Sequence, residues 1–194
     1  MGKEIKKCLI ISGAPESEIE YYNDYVDGRF VISADSGYNK CTKLGIKPDL
    51  IIGDFDSSDV PDTAIKTIIL PVRKDDTDTF FAVKYAIKQG FNDLVILGGI
   101  GSRFDHTYCN VLALNYCFER NVKAVLINKD KYNYFSFYAF LEDCIKLTTR
   151  GTQYDLTDYD LTVKCPLAQS NSFKNDNITV SYESGKLLLI LSND

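Results

Sequence analysis

Carboxylates follow the apolar runs of this chain, and they are the first candidates for chemistry. Residues 51–53 lead directly into Asp54 and Asp56, which are separated by Phe55. On an extended segment the side chains at i and i+2 share a face, so we expect both carboxylates to point the same way and Phe55 to turn back into the protein. Two such charges about 4 Å apart repel by roughly 1 kcal/mol in water and by roughly 4 kcal/mol at an effective dielectric of 20. A divalent cation would reverse the sign of this interaction.

Further acids follow other apolar runs of the chain. Asp35 follows one run, and Asp75 and Asp78 follow another, close to Lys74. Mg²⁺ takes oxygen ligands, keeps several waters and is usually shared between one or two carboxylates and substrate phosphates. The pattern therefore indicates a site for a metal ion and a phosphate group.

A glycine-rich loop supports the phosphate part of this hypothesis. Gly98 and Gly99 follow a continuously apolar run, and a helical pattern comes next. Glycines let backbone N–H groups approach phosphate oxygens, and the following helix offers its N-terminus to an anion. Arg103 can clamp a phosphoryl group with two hydrogen bonds, and Lys74 can supply a second cation. The loop fits neither GxGxxG nor GxxxxGK[ST], so it is a weak signal by itself.

Structural roles compete with these functional ones. Asp76 and Asp105 stand where helix N-caps are expected. Asp35 can form an Asx turn before the glycine that follows it. Arg103 can form a surface ion pair with Asp105, and His106, at a helix start, is more often a hydrogen-bonded structural group than a base.

The elements that must position these residues are visible in the apolar pattern. Strands are predicted at residues 7–12, 29–35, 49–54, 67–71, 93–99 and 123–128. Helical patterns separate most of them, and continuously apolar runs are typical of strands covered on both faces. We expect a parallel sheet with right-handed crossovers and helices on both faces. The loops after parallel strands share one edge, where ligands bind in open α/β sheets.

The pattern changes after residue 128. Short strand candidates at residues 144–149, 160–165, 177–182 and 186–192 are separated by turn-rich segments. The segment YESGKL predicts a tight hairpin, with Gly185 as its positive-φ residue. We therefore expect an α/β domain of residues 1–128, with a parallel sheet and helices on both faces, followed by a small all-β sandwich of residues 129–194.

Composition argues against several classes of protein. The net charge is −5 and no stripe of lysine and arginine is present, which argues against a nucleic-acid partner. No apolar run approaches the roughly 20 residues that span a bilayer. The six cysteines form no CxxC pair, and most lie in apolar segments, as expected for reduced core thiols. We therefore expect a cytoplasmic protein.

Several motifs together make the chain resemble the thiamine pyrophosphokinases. The matching segments are residues 34–58, 74–86 and 97–111, and more loosely 151–156, 169–173 and 185–192. GDFDS, DDTD and the GGxGxRFDH pattern are specific as a set, and the resemblance covers nearly the whole chain in order. It implies an α/β domain followed by a β-sandwich, and a homodimer with each active site between two subunits. It also implies that the diphosphoryl group of ATP passes to the hydroxyl of thiamine, giving thiamine diphosphate and AMP.

The resemblance assigns roles to individual residues. Asp54, Asp56 and Asp78 correspond to the family's acids for Mg²⁺ and the ATP phosphates, and with Arg103 they would be catalytic. The other positions that the resemblance implies in ATP binding are Asp35, Lys74, Thr77 and Asp105, and the loop sequences themselves add Asp75, Gly98 and Gly99 as candidates. Ser170 and Asn171 match a Ser-Asn pair that helps to hold thiamine.

Some questions stay open on the sequence alone. The proton acceptor for the attacking hydroxyl is either Asp78 or Asp75. Gln169 and Ser36 depart from the residues that many members carry at these positions. Two other functions compete: a Mg²⁺-dependent diphosphotransferase or NTP hydrolase that acts on another substrate, and a non-catalytic nucleotide or thiamine sensor.

Overall fold

The structure, a computed structural model, describes residues 4–14, 22–55, 60–61, 63–73, 75–101, 103–128, 132–175 and 177–193, without the side chain of Asn23. The chain divides into two units, Met1–Asp130 and Lys131–Asp194. No helix in these ranges is long and apolar enough to cross a membrane.

A six-stranded parallel sheet forms the first unit. Its strands are β1 (Lys7–Ile11), β2 (Phe30–Ala34), β3 (Leu50–Gly53), β4 (Lys66–Ile69), β5 (Asp93–Leu97) and β6 (Lys123–Ile127). Their spatial order is β4-β3-β2-β1-β5-β6, and all neighbours are parallel. The chain runs outward from β1 to β4 and then returns to β5 on the other side of β1. This reversal is a topological switch point, where open α/β sheets bind ligands.

Helices cover both faces of this sheet, as predicted. They are α1 (Tyr22–Val26), α2 (Gly37–Leu44), α3 (Asp78–Lys88) and α4 (Phe104–Phe118). Cys8 and Ile10 of β1 pack in one apolar cluster with residues of α3 and α4. Leu9 and Ile11 pack in a second cluster with residues of α1 and α2. Both faces of the strand are therefore buried, which explains its continuously apolar sequence.

The first turns of the helices fix the loops that precede them. The Thr77 hydroxyl accepts a hydrogen bond from the Phe80 N–H at 3.2 Å, so Thr77 and not Asp76 caps α3. Asp105 lies inside the first turn of α4 and is not its N-cap residue. A β-carbon on Gly37 would lie 2.0 Å from the Ile11 carbonyl oxygen. Glycine at this position lets the start of α2 pack closely against the end of β1.

The second unit is built from two small antiparallel sheets. Its strands are β7 (Tyr134–Ala139), β8 (Cys144–Arg150), β9 (Tyr159–Leu161), β10 (Asn171–Ser172), β11 (Thr179–Ser181) and β12 (Leu187–Ser192). The sheet orders are β10-β7-β12 and β11-β8-β9. Phe135, Phe137 and Leu147 are fully buried in the core of this unit. The expected all-β fold of the C-terminal part is confirmed.

Some sequence-based details of the second unit were wrong. β11 pairs with β8 and β12 pairs with β7, so the predicted hairpin between them does not form. The Glu183 N–H donates to the Ile145 carbonyl, and the Ile145 N–H donates to the Ser184 carbonyl. The turn segment is therefore bonded to the start of β8, although Gly185 has the expected positive φ of 98°. β9 ends at Leu161, short of the predicted strand, while β7 and β10 were not predicted.

Candidate active site

A cavity of about 410 Å³ lies at the carboxyl ends of the strands in the first unit. Its walls come from the segments after β1, β2, β3 and β5 and from the first turns of α3 and α4. The sequence-predicted residues that line it are Asp35, Asp54, Thr77, Asp78, Gly98, Gly99 and Arg103. Its volume falls within the range of about 300 to 1,000 Å³ that is usual for small-molecule sites.

Three carboxylates meet at this cavity. Each of Asp35, Asp54 and Asp78 offers an oxygen that lies within 4.8 Å of the others, and all three residues are half-buried. Asp35 and Asp54 follow the adjacent strands β2 and β3, and Asp78 is the first residue of α3. The Asp35 N–H donates to the Ile52 carbonyl at 2.8 Å, which fixes the two strand ends against each other. Neighbouring parallel strands therefore bring together acids that are distant in the chain.

Three helix N-termini open onto the same cavity. Ser36, Thr77 and Arg103 are the N-cap residues of α2, α3 and α4, and all three line it. The N-terminus of a helix carries a partial positive charge and unpaired N–H groups, which favour anions. The carboxylates, in contrast, favour a cation. A ligand that combines a cation with phosphate groups satisfies both parts of the site.

Side chains from α4 shape the glycine loop. The Asn110 amide donates to the Gly99 carbonyl at 2.7 Å, and the Gly101 N–H donates to the Thr107 hydroxyl at 3.2 Å. Asn110 is buried and lies in a helix whose inner face is otherwise apolar. An amide among apolar residues on one helix face is the sequence signal for this role.

Lys40 is a second residue that sequence reasoning missed. Its ammonium donates to the Ala14 carbonyl, and the Ala14 N–H donates to the Gly98 carbonyl at 2.9 Å. Gly98 has a φ of 65°, and a β-carbon there would lie 2.5 Å from the Lys40 Nζ atom. Burial lowers the pKa of Lys40 below its usual value. Lys40 thus places a cation behind the loops that follow β1 and β5.

A buried hydroxyl pair links two further parts of the wall. The hydroxyl oxygens of Ser12, after β1, and Thr79, in the first turn of α3, lie 2.7 Å apart. Both residues are buried and both line the cavity. This contact fixes the start of α3, and with it Asp78, against the end of the central strand β1.

Arg103 forms the surface ion pair that competed with its functional role. Its guanidinium contacts the Asp105 carboxylate at 2.6 Å, and the two side chains are 68% and 64% exposed. This hydrogen bond raises the pKa of Arg103 and lowers that of Asp105. Arg103 also lines the cavity, whereas Asp105 is not among its lining residues. Asp105 therefore orients the guanidinium at the rim.

Other predicted site residues are placed differently or lie outside the described ranges. Asp75 is exposed and is not among the residues that line the cavity. Asp56 and Lys74 fall outside the described residues. Phe55 is buried as expected, but β3 ends at Gly53 and Phe55 has a φ of 53°. The extended geometry that we expected beyond Asp54 was therefore wrong.

Ser170 and Asn171 lie in the second unit. Ser170 is exposed, with a φ of 50°, and its N–H donates to the Ser136 hydroxyl at 3.0 Å. Asn171 is buried, and its side chain accepts from the Tyr154 N–H at 3.1 Å and donates to the Tyr154 carbonyl at 2.9 Å. Asn171 therefore fixes the backbone of Tyr154, and thiamine contacts for this pair stay a prediction.

The donor set of the cavity fits Mg²⁺. Carboxylates are hard oxygen ligands, and Mg²⁺ in phosphate-binding enzymes usually takes one or two of them together with substrate oxygens. The cluster of Asp35, Asp54 and Asp78 supplies such oxygens on one wall. The helix N-termini and the glycine loop supply N–H groups of the kind that bind phosphate in other proteins. The site can therefore hold a metal–nucleotide complex.

The chain matches two family models. Residues 23–126 match the family described as thiamin pyrophosphokinase, catalytic domain, and residues 124–187 match thiamin pyrophosphokinase, vitamin B1 binding domain. A curated relative, the thiamine pyrophosphokinase of Bacillus subtilis (strain 168), is 28% identical over 98% of this chain and 100% of that protein.

Solved structures agree with these matches. The crystal structure of thiamine pyrophosphokinase from Bacillus subtilis has a TM-score of 0.87 and 26% identity, over 97% of this chain and 100% of that one. The thiamin pyrophosphokinase of Geobacillus thermodenitrificans, at 23% identity, shares the fold with a TM-score of 0.83 over 97% of this chain and 98% of that one. The expected fold class is confirmed, as is the enzyme class, an ATP-dependent diphosphotransferase. The chain therefore belongs to the thiamin pyrophosphokinase family.

Proposed function

We propose that this chain transfers the diphosphoryl group of ATP to the hydroxyl of thiamine. The thiamine oxygen forms a bond to the β-phosphorus, and the bond from that phosphorus to the oxygen shared with the α-phosphorus breaks. AMP leaves with the shared oxygen, and the hydroxyl proton passes to a base. The observation that carries the proposal is the convergence of three carboxylates and three helix N-termini on one cavity, in a member of this family.

Asp35, Asp54 and Asp78 would hold Mg²⁺ together with the ATP phosphates. This set shares Asp54 and Asp78 with the sequence-based set, and Asp56 stays a predicted ligand. A bound Mg²⁺ supplies neutralisation of the negative charge that builds on the phosphate oxygens during transfer. Binding of the cation is favourable because its positive charge relieves the mutual repulsion of the carboxylates.

The chain's own residues would position the nucleotide. The N-termini of α3 and α4 and the N–H groups of the glycine loop bind phosphate oxygens. Arg103 lies at the rim, where Asp105 orients it to clamp a phosphoryl group, and Lys74 stays a predicted second cation. The protein does not need to form a covalent bond to either substrate, because phosphoryl transfer depends mainly on positioning and electrostatics.

Asp78 is the better placed of the two candidate proton acceptors. It lines the cavity, whereas Asp75 is not among the lining residues. One oxygen of Asp78 would hold the metal, and the other would accept the proton of the attacking hydroxyl as the new bond forms.

We also propose that the C-terminal unit binds thiamine through Ser170 and Asn171 and that the chain acts as a cytoplasmic homodimer. Exposed apolar side chains at Leu189, Ile190 and Leu191 of β12 support association, because a partner could cover them. All six cysteines lie within the described ranges and are free thiols, which supports a reducing compartment.

Incubation with ATP, Mg²⁺ and thiamine tests the proposal. We expect AMP and thiamine diphosphate in equal amounts, measured by mass spectrometry. Release of AMP or ADP without thiamine would point to an NTP hydrolase, and product from another alcohol would point to a different transferase. Binding of both ligands without any product would identify a sensor and contradict the proposal.

A further inference from the structure

A fourth aspartate, Asp76, lines the cavity but lies outside the carboxylate cluster. Asp76 precedes Thr77, the N-cap residue of α3. Among the described residues, the carboxylate cluster contains Asp35, Asp54 and Asp78, and Asp76 is not a member. Both carboxylate oxygens of Asp76 instead accept hydrogen bonds from the Lys84 ammonium, each at 2.8 Å.

Lys84 is held in place from a second side. Its Nζ atom lies 4.5 Å from the centre of the Phe80 ring and 6.0 Å from that of Tyr116. The two rings pack edge to face, with centroids 5.2 Å apart. The Arg120 guanidinium covers Tyr116 at 3.4 Å. Contacts from α3 and α4 therefore fix the ammonium, although the Lys84 side chain is 37% exposed.

This arrangement has an electrostatic consequence for nucleotide binding. The cavity must accept a polyphosphate beside three carboxylates, and a fourth uncompensated carboxylate would add to the repulsion. A paired Asp76 adds no net charge to the wall. It is also directed towards Lys84, so it does not compete for the metal.

We propose that Lys84 is a positioning residue that neutralises Asp76 and keeps its carboxylate out of the metal cluster. The inference rests on the proposed function, because it takes the ligand of the cavity to be a magnesium nucleotide. Lys84 is not among the described residues that line the cavity, and in this proposal it acts only through Asp76.

A double-mutant cycle tests this inference without turnover. The probe is Mg²⁺ with α,β-methylene-ATP, whose bridging carbon blocks the bond cleavage, and its Kd is measured by calorimetry without thiamine. Lys84→Met should raise this Kd roughly threefold to tenfold, as expected for one partly screened unit charge. In the Asp76→Asn background the same change should raise the Kd clearly less, by under about twofold, because no carboxylate is left to turn towards the metal cluster and only the weaker direct attraction between the ammonium and the nucleotide is lost.

Matched variants separate this role from a structural one. Lys84→Arg keeps the charge and should bind the probe within about twofold of wild type. Lys88→Met removes a charge from an exposed position in the last turn of the same helix and should have no comparable effect. Thermal unfolding without nucleotide shows whether each variant is folded, and only folded variants enter the cycle. If Lys84→Met does not fold, Lys84→Gln takes its place in the cycle.

The outcomes separate the role of Lys84 from the proposed function of the chain. An equal rise in Kd in both backgrounds, or no rise at all, would overturn the role of Lys84. That result together with thiamine diphosphate formation by wild type would leave the proposed function intact. Failure of the wild-type protein to bind the probe would overturn both.

Discussion

At the scale of single residues, the cluster of Asp35, Asp54 and Asp78 is the proposed site of the metal ion. Asp54 was predicted because two acids at the end of a buried strand lack a structural explanation, and Asp78 was assigned through the resemblance to the family. The left-handed backbone of Phe55 could not be predicted, since a bulky residue rarely adopts a positive φ. The Asp76–Lys84 pair was also missed, because Asp76 precedes the helix that carries Lys84 and no helical spacing relates the two residues.

Replacing Asp54 tests the cluster most simply. Asp54→Asn removes one anionic oxygen ligand and keeps the shape of the side chain. We expect kcat for thiamine diphosphate formation to fall by about 100-fold or more, because the Mg²⁺ that would neutralise negative charge in the transition state loses one of its ligands. The melting temperature should stay the same or rise, since a repulsion between carboxylates is relieved.

The control for this variant is Asp27→Asn, which removes a charge from an exposed turn. It should leave turnover unchanged. Product formation by Asp54→Asn at near the wild-type rate, at saturating Mg²⁺, would refute the assignment of Asp54.

At the scale of elements, the α/β part followed the sequence closely and the β part did not. Continuously apolar runs separated by helical patterns allow few arrangements other than a parallel sheet. Short strands such as β10 and β11 carry little local signal, and their partners are chosen by long-range packing. The predicted hairpin failed for this reason, because its turn residues bond to β8.

Lys40 connects α2 to the segment after β1, and its loss should destabilise the loops that line the cavity. Lys40→Met keeps the apolar stem but removes the donor to the Ala14 carbonyl behind the Gly98 turn. The loss of one such bond costs about 1 kcal/mol, or roughly 2 to 4 °C of melting temperature for a chain of this size. The KM for ATP should rise, because the loops after β1 and β5 are less well ordered.

Lys43→Met is the matched control, since Lys43 is exposed on the same helix. It should change neither the melting temperature nor the KM for ATP. Unchanged values for Lys40→Met would contradict the proposed role of its ammonium.

Buried thiols give a test of the sheet core. Burial raises the pKa of Cys8 to about 12 and that of Cys117 to about 12. Iodoacetamide at pH 8 should therefore modify exposed Cys165 in the native protein, and Cys8 and Cys117 only after unfolding in guanidinium. Because thiols with the usual pKa of 9.0 ionise in the unfolded chain but stay protonated in the folded one, stability should fall as pH rises from about 9 towards 12.

Mass spectrometry of the alkylated peptides reads the result. Rapid modification of native Cys8 would show that β1 is not the buried central strand described here.

At the scale of the whole molecule, family membership rests on matches to both units of the chain. The proposed homodimer is a separate matter. Light scattering of the purified protein should give a mass of about twice 21.9 kDa. A mass equal to that of one chain at micromolar concentration would contradict the dimer, and the exposed residues of β12 would then need another explanation.

The central claim is that a metal ion bound with the nucleotide lies on Asp35, Asp54 and Asp78. The most direct measurement is anomalous scattering from crystals grown with Mn²⁺, in place of Mg²⁺, and α,β-methylene-ATP. The account predicts a manganese peak within about 2.5 Å of carboxylate oxygens of Asp54 and at least one of the other two. A peak bound only to phosphate oxygens and water, or held by other side chains, would contradict it.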